Sequence, residues 1–199
     1  MKNCFDVIGN DIVDLRLAAV ESDPMRQRFL DKVFTKREQA VIFNASKPLK
    51  QLWLLWTMKE AAYKAHQRRF SLTRKFNPLV QQCVILSQSG DSASGEVKIG
   101  TRVYHITSIY NEKYIHSLAS INPGATNFLW EILPSSADLR KDFLLDISQQ
   151  YGIPAYSLAI EKDRNFVPVL MYKNKTFPIA FSFSKHGKFG AFSRELMNY

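Results

Sequence analysis

The sequence predicts an α+β fold of two α+β lobes. Runs with helical spacing are followed by runs with strand composition, and this order occurs twice along the 199 residues. The strongest break between the halves is at Asn122, Pro123 and Gly124. We therefore expect one lobe over residues 1–122 and a second over residues 123–199.

The first lobe is predicted to place helices before a run of strands. Asp23 suits the N-cap of the first helix, and Pro48 suits the first turn of the third. Thr35 and Glu38 have the spacing of a capping box, which starts the second helix. A stretch rich in Ser and Gly at residues 87–95 is expected to form a hairpin loop. In chain order the predicted elements are a strand over 5–9, helices over 24–33, 36–44 and 48–66, and strands over 82–86, 97–99, 102–110 and 114–121.

The second lobe is predicted to contain one helix and several strands. Apolar residues recur at helical spacing from Leu139 to Tyr151, with Ser136 as the N-cap and Gly152 just beyond the C-terminus. The predicted strands of this lobe cover residues 157–161, 167–172, 179–184 and 188–193.

Composition limits the classes of function. The 27 Lys and Arg residues against 18 Asp and Glu give a net charge of +9, which favours an anionic partner: nucleic acid, a phosphorylated ligand or an acidic protein. Two cysteines, Cys4 and Cys83, are too few for a disulfide scaffold or a thiolate zinc cluster. The longest apolar run, residues 52–58, is too short to span a bilayer, and acidic residues interrupt the N-terminus. These features predict a cytoplasmic protein.

The third predicted helix carries the main chemical signal, at Glu60. At about 100° per residue, Glu60 falls within a stripe of aromatic side chains on a helix that is apolar on two faces. A buried carboxylate needs a cation, a metal or a proton, and Lys64, one turn on, is a suitable partner. A structural Glu60–Lys64 pair at the edge of the core is the alternative. Lys59 is expected to face solvent or a phosphate.

A second carboxylate, Asp11, is expected just after the first strand, where such a residue commonly caps a turn. The alternative is a metal site, because Asp11 and Glu60 on separate elements could share one Mg²⁺. That ion takes oxygen ligands and commonly binds substrate phosphate as well. A basic protein with such a site would suit a phosphorylated substrate.

The third signal follows a predicted strand near the C-terminus. Ser184, Lys185 and His186 stand beside Gly187. Hydroxyl, ammonium and imidazole groups around a glycine are typical of a turn that binds phosphate, although a solvated loop is the simpler interpretation.

Three segments of the first lobe resemble the signatures of the 4′-phosphopantetheinyl transferases, in that family's order. They are residues 9–15 (GNDIVDL), 33–38 (VFTKRE) and 55–65 (LWTMKEAAYKA), of which the last is the most specific. Residues 148–187 resemble the N-terminal lobe of the two-lobed, surfactin-synthetase type, yet here they follow the acidic lobe. The resemblance therefore implies a circularly permuted pseudo-dimer of two α+β lobes, each a helix packed on a small antiparallel sheet. Such a permutation is physically feasible when chain termini lie close together at the surface.

The resemblance also implies an activity: Mg²⁺-dependent transfer of the 4′-phosphopantetheine arm from coenzyme A to a serine of an acidic acyl or peptidyl carrier protein. Asp11 and Glu60 match the family's metal ligands. Lys64 matches the lysine that contacts the phosphates and assists the departing adenosine 3′,5′-bisphosphate. These three residues are the catalytic candidates.

The resemblance further assigns the contacts with coenzyme A. Ser184, Lys185 and His186 would hold the adenosine 3′-phosphate, and Lys59 and Lys64 would be further cofactor-binding residues. Two complete lobes in one chain would supply one complete interface, so a monomer is expected.

Departures from the family pattern leave two alternatives open. Val13 replaces an acid, Lys185 replaces a histidine, and Phe166-Val167 replace a Gly-Lys pair. A non-catalytic homologue that binds coenzyme A or a carrier protein would fit these changes. A nucleic-acid-binding module is the less favoured alternative, since it leaves Glu60 unexplained; it rests on Arg68, Arg69, Arg74 and Lys75 beside Phe70 and Phe76. We expect neither a nucleic acid nor a membrane as partner.

Overall fold

The computed structural model describes residues 7–21, 23–123 and 127–196 and shows the predicted α+β architecture. The helices are α1 (Leu15–Glu21), α2 (Gln27–Val33), α3 (Lys36–Phe43), α4 (Pro48–Phe70) and α5 (Leu139–Tyr151). The strands are β1 (Ile8–Asp14), β2 (Gln81–Ser89), β3 (Ser92–Ile99), β4 (Arg102–Tyr110), β5 (Tyr114–Ser120), β6 (Phe128–Pro134), β7 (Leu158–Lys162), β8 (Pro168–Tyr172), β9 (Lys175–Thr176), β10 (Phe181–His186) and β11 (Phe189–Glu195).

The first lobe is built on an antiparallel sheet with the strand order β1-β5-β4-β3-β2, against which α4 packs. Apolar residues from both faces of α4 enter the core, including Leu55, Met58 and Ala62. Strand β1 approaches α4 so closely that a Cβ at Gly9 would collide with the backbone of Ala61 and Ala65. Glycine is therefore required there, and the close approach sets the position of the residues that follow it in β1.

The second lobe repeats this theme at smaller scale. Its central sheet has the order β10-β11-β6, α5 packs against it, and β7, β8 and β9 form a separate small sheet. Helix α5 is followed by Gly152 in the left-handed conformation, as predicted. Its N-cap is Asp138, whose carboxylate accepts hydrogen bonds from the N–H groups of Arg140 and Lys141. The predicted cap at Ser136 is thus wrong by two residues.

Both lobes share one order of elements: a strand, a helix, and a hairpin whose second strand pairs with the first strand. These are β1, α4 and β4–β5 in the first lobe, and β6, α5 and β10–β11 in the second. Strand β1 contacts both β10 and β11, so the two sheets meet along the outer edge of β1. The N–H groups of Asn10 and Asp14 on that edge donate to Ser182 Oγ and His186 Nδ1, at 3.1 and 3.0 Å.

Several predicted boundaries need correction. The first strand covers Ile8–Asp14 and so extends beyond the predicted residues 5–9, of which residues 5 and 6 lie outside the described residues. The hairpin loop expected at 87–95 is mostly strand, because β2 and β3 pair up to a tight turn at Gly90 and Asp91. Helix α1 and strand β6 were not predicted. The lobe boundary at residues 122 and 123 stays a prediction, and Gly124 lies outside the described residues.

The capping box is confirmed: Thr35 Oγ1 accepts from the N–H of Glu38, and the Glu38 carboxylate accepts from the N–H of Thr35. None of the described helices combines the length and the apolar character needed to cross a membrane.

Candidate active site

A groove of about 540 Å³ lies between α4 and the second lobe. Its walls come from α4, the segment that follows α4, the turn between β7 and β8, and β10. The charged side chains that line it are Glu60, Lys64, Arg68, Arg74 and Lys162. A neighbouring cavity of about 620 Å³ has mostly apolar walls and includes neither Glu60 nor Lys64. The groove is therefore the candidate site.

Lys64 connects β1 to α4 at the base of this groove. Its Nζ lies 2.8 Å from Asp11 Oδ1 and 2.8 Å from the carbonyl oxygen of Asn10, and it donates a hydrogen bond to each. The Asp11 side chain is 13% exposed and that of Lys64 is 26% exposed. Burial raises the pKa of Asp11, and the Lys64 ammonium works in the opposite direction. The structure therefore brings two of the predicted catalytic residues into contact.

Glu60 faces the same groove without a dedicated partner. Burial and, to a smaller extent, the negative charge of Asp11 raise the pKa of Glu60 to about 7, with Lys64 and Arg74 acting in the opposite direction. Among the described residues, none donates a hydrogen bond to the Glu60 carboxylate, and Lys64 pairs with Asp11 instead. The structure therefore does not show the structural Glu60–Lys64 pair that was the alternative. Lys64 contacts Asp11, and its positive charge also acts on Glu60.

Asp11 lies inside strand β1, not in a turn after it. The alternating side-chain directions of a strand explain why Asp11 faces α4 together with Gly9, while its neighbours Asn10 and Ile12 face away. The turn-capping role expected as the alternative for Asp11 belongs to Asp14, which caps α1 by accepting from the N–H groups of Arg16 and Leu17.

Lys59 has a different environment from the one expected. It is completely buried, and its Nζ donates to Glu38 Oε2 at 2.7 Å and to the carbonyl oxygens of Val33 and Pro78 at 2.9 and 3.0 Å. Because all three ammonium protons have acceptors inside the first lobe, the expectation that Lys59 faces solvent or phosphate is wrong. Lys59 does not line the groove.

The structure places Ser184, Lys185 and His186 in strand β10, so the turn expected there begins only at Gly187. Ser184 is buried, and its Oγ has no partner among the described residues. Lys185 donates to the carbonyl oxygen of Ser135 at 2.8 Å. None of these three residues lines the groove; the strand contributes Ser182 and Phe183 to it instead.

His186 contributes to the junction of the lobes. Its Nδ1 accepts from the N–H of Asp14, and its Nε2 lies 3.3 Å from the carboxylate of Glu21. Asp14 completes the junction by accepting from the N–H of Lys188 at 2.9 Å. Although burial opposes it, the hydrogen bonds from the N–H groups of Lys188, Leu17 and Arg16 lower the pKa of Asp14.

Arg68 joins the end of α4 to the second lobe. Its Nη1 donates to the carbonyl oxygen of Pro168 at 3.2 Å, and its guanidinium lies over the ring of Phe181 at 5.2 Å from the centroid. Burial lowers the pKa of Arg68 to about 10, with the charge of Asp163 acting against this. A guanidinium at that pKa is still charged at neutral pH, so Arg68 places a cation in the groove wall.

An aromatic cluster on α4 and the segment after it contributes Tyr63 and Phe76 to the lining of the groove. The rings of Tyr63 and Phe76 lie 5.1 Å apart, and Trp56 contacts Phe76 at 5.6 Å. The Tyr63 hydroxyl accepts a hydrogen bond from the N–H of Lys75 at 2.6 Å. This contact holds the segment after α4 against the helix and fixes Arg74 beside the groove.

The sequence analysis had identified Arg68 and Arg74, but as part of a basic cluster suited to nucleic acid. Only part of that basic cluster lines the groove, because Arg69 lies outside the groove and over the ring of Phe70. Lys162 was missed, since nothing in its local sequence distinguishes it from other strand-end lysines.

The two carboxylates meet the chemical requirement for a Mg²⁺ site in part. In the ranges that the structure describes, no group of three or more His, Cys, Asp or Glu side chains is placed to hold a metal. Mg²⁺, however, is commonly held by one or two carboxylates together with water and substrate phosphate. The charge repulsion that raises the pKa of Glu60 beside Asp11 is the kind a divalent cation would relieve.

A model of the 4′-phosphopantetheinyl transferase superfamily matches residues 7–119, a segment that contains Asp11, Glu60 and Lys64. The chain belongs to this superfamily. Within the match, β1 supplies Asp11 and α4 supplies Glu60 and Lys64, so the family segment and one wall of the groove coincide.

A curated relative has also been found. A holo-[acyl-carrier-protein] synthase of Protochlamydia amoebophila (strain UWE25) is 39% identical to the chain over 64 residues, which are 32% of this chain and 52% of that protein. The chain thus spans about half the length of the curated relative it matches.

Proposed function

We propose that this protein transfers the 4′-phosphopantetheine arm of coenzyme A to the hydroxyl group of a serine on an acyl or peptidyl carrier protein. The observation that carries the proposal is that Glu60 and Lys64 line a groove with several cations, while Lys64 also contacts Asp11, which does not itself line the groove. Membership of the 4′-phosphopantetheinyl transferase superfamily supports this reaction. The relative is a holo-[acyl-carrier-protein] synthase, which supports a carrier protein as the acceptor.

The charge of the groove suits a donor with several phosphates. Lys64, Arg68, Arg74 and Lys162 line it together with a single carboxylate, Glu60. Coenzyme A carries a pyrophosphate and a 3′-phosphate, and lysine and arginine side chains are the common protein partners of phosphate oxygens. The excess of cations would draw the donor in and hold its pyrophosphate near α4.

The proposed reaction is a phosphoryl transfer. The serine oxygen forms a bond to the phosphorus that bears the pantetheine arm. The bond from that phosphorus to the bridging oxygen of the pyrophosphate breaks, and adenosine 3′,5′-bisphosphate leaves. Such reactions depend mainly on positioning and charge stabilisation, so Lys64 would stabilise the negative charge on the departing bisphosphate.

Glu60 is the proposed acceptor of the serine proton. Its pKa of about 7 places the carboxylate near the optimum for a base at neutral pH. The same residue could hold the metal, and a water would then receive the proton; this alternative stays open. In either case Glu60 acts at the reacting atoms.

Asp11 and Glu60 are the residues that would hold Mg²⁺, with Lys64 keeping Asp11 in place through its 2.8 Å contact. When bound, the ion would neutralise charge on the pyrophosphate. The chain's own residues would orient Asp11 from β1 and Glu60 from α4, two elements that the close approach at Gly9 fixes against each other.

The remaining assignments stay predictions. Ser184, Lys185 and His186 are the predicted contacts of the adenosine 3′-phosphate, although none of the three lines the groove. An acidic carrier protein as partner, a monomeric state and a cytoplasmic location complete the proposal. The permuted pseudo-dimer is supported by the common element order of the two lobes.

The test is direct. The protein is incubated with coenzyme A, Mg²⁺ and an apo carrier protein, and the carrier is weighed by mass spectrometry. We expect the carrier to gain the mass of one phosphopantetheine arm. If several apo carriers that another holo-synthase modifies gain no mass here, the transferase proposal fails. Binding of coenzyme A without any transfer would instead support the non-catalytic alternative.

A further inference from the structure

Phe166 presents an aromatic ring at the rim of the groove from an unusual backbone conformation. Its φ is 61°, in the left-handed region that bulky residues seldom adopt. The residue is 75% exposed, so the ring gains little from contacts within the fold. Stability therefore does not explain a phenylalanine at this position, where the resembled motif has glycine.

The turn that carries Phe166 is held firmly. Asp163 Oδ1 accepts from the N–H groups of Asn165 and Val167, at 2.8 and 2.9 Å. The Asn165 side-chain amide donates to the carbonyl oxygen of Ser71 at 2.7 Å, which ties the turn to the end of α4. The ring is thus displayed from a pre-organised turn rather than from a loose loop.

The surroundings of the ring match the chemistry of a nucleotide. The groove beside it carries four cations, Lys64, Arg68, Arg74 and Lys162. Cations bind phosphates, and an exposed aromatic face stacks on a base, so the two together recognise a nucleotide. Glu60 and Lys64 belong to α4, whereas Phe166 belongs to the turn between β7 and β8, so the two elements contribute different parts of the groove lining.

We propose that Phe166 stacks on the adenine of the donor and so makes the enzyme select a donor with a nucleobase. This inference rests on the proposed function, because the base belongs to coenzyme A. It adds a specificity-determining contact at a position where the resembled motif has glycine.

The experiment measures binding of adenosine 3′,5′-bisphosphate and, separately, of inorganic pyrophosphate, by titration calorimetry on the full chain. We expect Phe166→Gly to weaken binding of the nucleotide roughly ten-fold or more, the range that loss of one base–aromatic stack gives. Pyrophosphate binding should not change. Phe166→Tyr should keep the nucleotide affinity because it keeps the ring.

The controls separate stacking from damage to the fold. Phe166→Gly suits the left-handed conformation, so its Tm should equal or exceed that of the wild type. Tyr156 is 92% exposed in the same lobe and does not line the groove, so Tyr156→Ala should leave nucleotide binding unchanged.

Three results would overturn the inference, and they are distinguishable. Equal nucleotide affinities of wild type and Phe166→Gly, with transfer to the carrier intact, would refute the stacking role alone. An unchanged nucleotide affinity with a raised KM for the apo carrier would assign the ring to carrier docking instead. A wild-type chain that binds neither adenosine 3′,5′-bisphosphate nor coenzyme A would refute the proposed function as well.

Discussion

Helix α4 carries two lysine–carboxylate contacts that look alike in sequence and differ in environment. Lys59 pairs with Glu38 at 2.7 Å, with side chains that are 0% and 3% exposed. Lys64 pairs with Asp11 at 2.8 Å, with side chains that are 26% and 13% exposed. The two lysines lie only five positions apart, yet one contact is enclosed in the core of the first lobe and the other borders the groove.

The buried contact is saturated. Glu38 accepts from Lys59 and Thr35 through Oε2 and from the N–H of Cys83 through Oε1, at 2.7, 2.7 and 2.8 Å. Burial lowers the pKa of Lys59, and the Glu38 charge acts against this. The Lys59–Glu38 pair thus links the end of α2 and the start of α3 to β2. Because its hydrogen-bonding groups already have partners, the pair has none left to bind a ligand.

The contact at the groove is unsaturated, because a second carboxylate, Glu60, lies nearby without its own hydrogen-bond donor among the described residues. Two carboxylates, Asp11 and Glu60, act on the one lysine that contacts Asp11, and a metal ion or a proton would neutralise the negative charge that remains beside them. The identity and spacing of the charged residues therefore do not distinguish a structural pair from a chemical site. The two are distinguished by whether every hydrogen-bonding group has a partner and by whether the pair borders a cavity.

The largest expected effect is on activity, from Glu60→Gln. The substitution keeps the shape of the side chain but removes the proton acceptor and a metal-binding charge, so we expect the transfer rate to fall at least ~100-fold. Tm should stay the same or rise, because repulsion with Asp11 is relieved. The rate is measured by mass spectrometry and Tm by calorimetry, with Glu96→Gln on strand β3 as the control. Loss of folding in Glu60→Gln would make Glu60 a structural residue.

The next effect is on stability, from Lys59→Met. Removing the cation leaves the Glu38 carboxylate buried without its partner, which commonly costs about 3–5 kcal/mol in the free energy of unfolding. Urea denaturation measures this loss, and the double variant Lys59→Met/Glu38→Gln should recover part of it. Lys36→Met, at an exposed pair with Asp31, is the matched control and should change little. Normal stability of Lys59→Met with a raised KM for coenzyme A would contradict the structural assignment.

A third prediction concerns a buried group without a partner, His116. Burial lowers its pKa to about 3, with Lys64 acting in the same direction, and its Nε2 has no partner among the described residues. Below about pH 6.5 the His116 side chain takes up a proton in the unfolded chain but stays neutral in the folded protein. The free energy of unfolding therefore keeps the whole contribution of His116 above that pH and decreases as the pH falls towards 3. The decrease should reach about 1.4 kcal/mol per pH unit.

The pH prediction is checked by urea denaturation of wild type and His116→Leu between pH 7 and 5. The free energy of unfolding of the wild type should fall more steeply with decreasing pH than that of the variant. Parallel curves would mean that His116 is protonated in the folded protein.

The smallest expected effect is stabilisation by Mg²⁺. If Asp11 and Glu60 hold the ion, free Mg²⁺ at ten times its Kd should add about 1.4 kcal/mol to the free energy of unfolding. In calorimetry, Mg²⁺ should raise the Tm of the wild type and leave the Tm of Glu60→Gln unchanged. An equal rise in both proteins would place the ion elsewhere on the chain.

Local physics explains which parts of the fold were predictable. The capping box at Thr35 and Glu38, Pro48 at the start of α4 and strand β4 depend on neighbours within a few residues, and they were predicted correctly. Helix α1 escaped prediction because it is short and its cap, Asp14, is also the last residue of a strand. The turn at Gly90 was misjudged because small polar residues resemble a loop even when they pair in a ladder.

The candidate site divides in the same way. The residues on one helix, Glu60 and Lys64, were identifiable from the polar interruption of an apolar stripe. Lys59 was misplaced since its acceptors come from α2, α3 and the segment before β2, which no helical pattern reveals. Lys162 and Phe166 enter the groove only because the second lobe folds against α4.

The amino-acid sequence by itself determined the α+β class and the superfamily signatures that contain Asp11, Glu60 and Lys64, because these depend on residues close together in the chain. Only the tertiary structure decided which lysine is buried against Glu38 and which lysine contacts Asp11. It also decided which cations line the groove. The physical reason is that the environment of a charge depends on burial and on hydrogen-bond partners. Those partners come from distant parts of the chain and meet only when the sheets and helices pack.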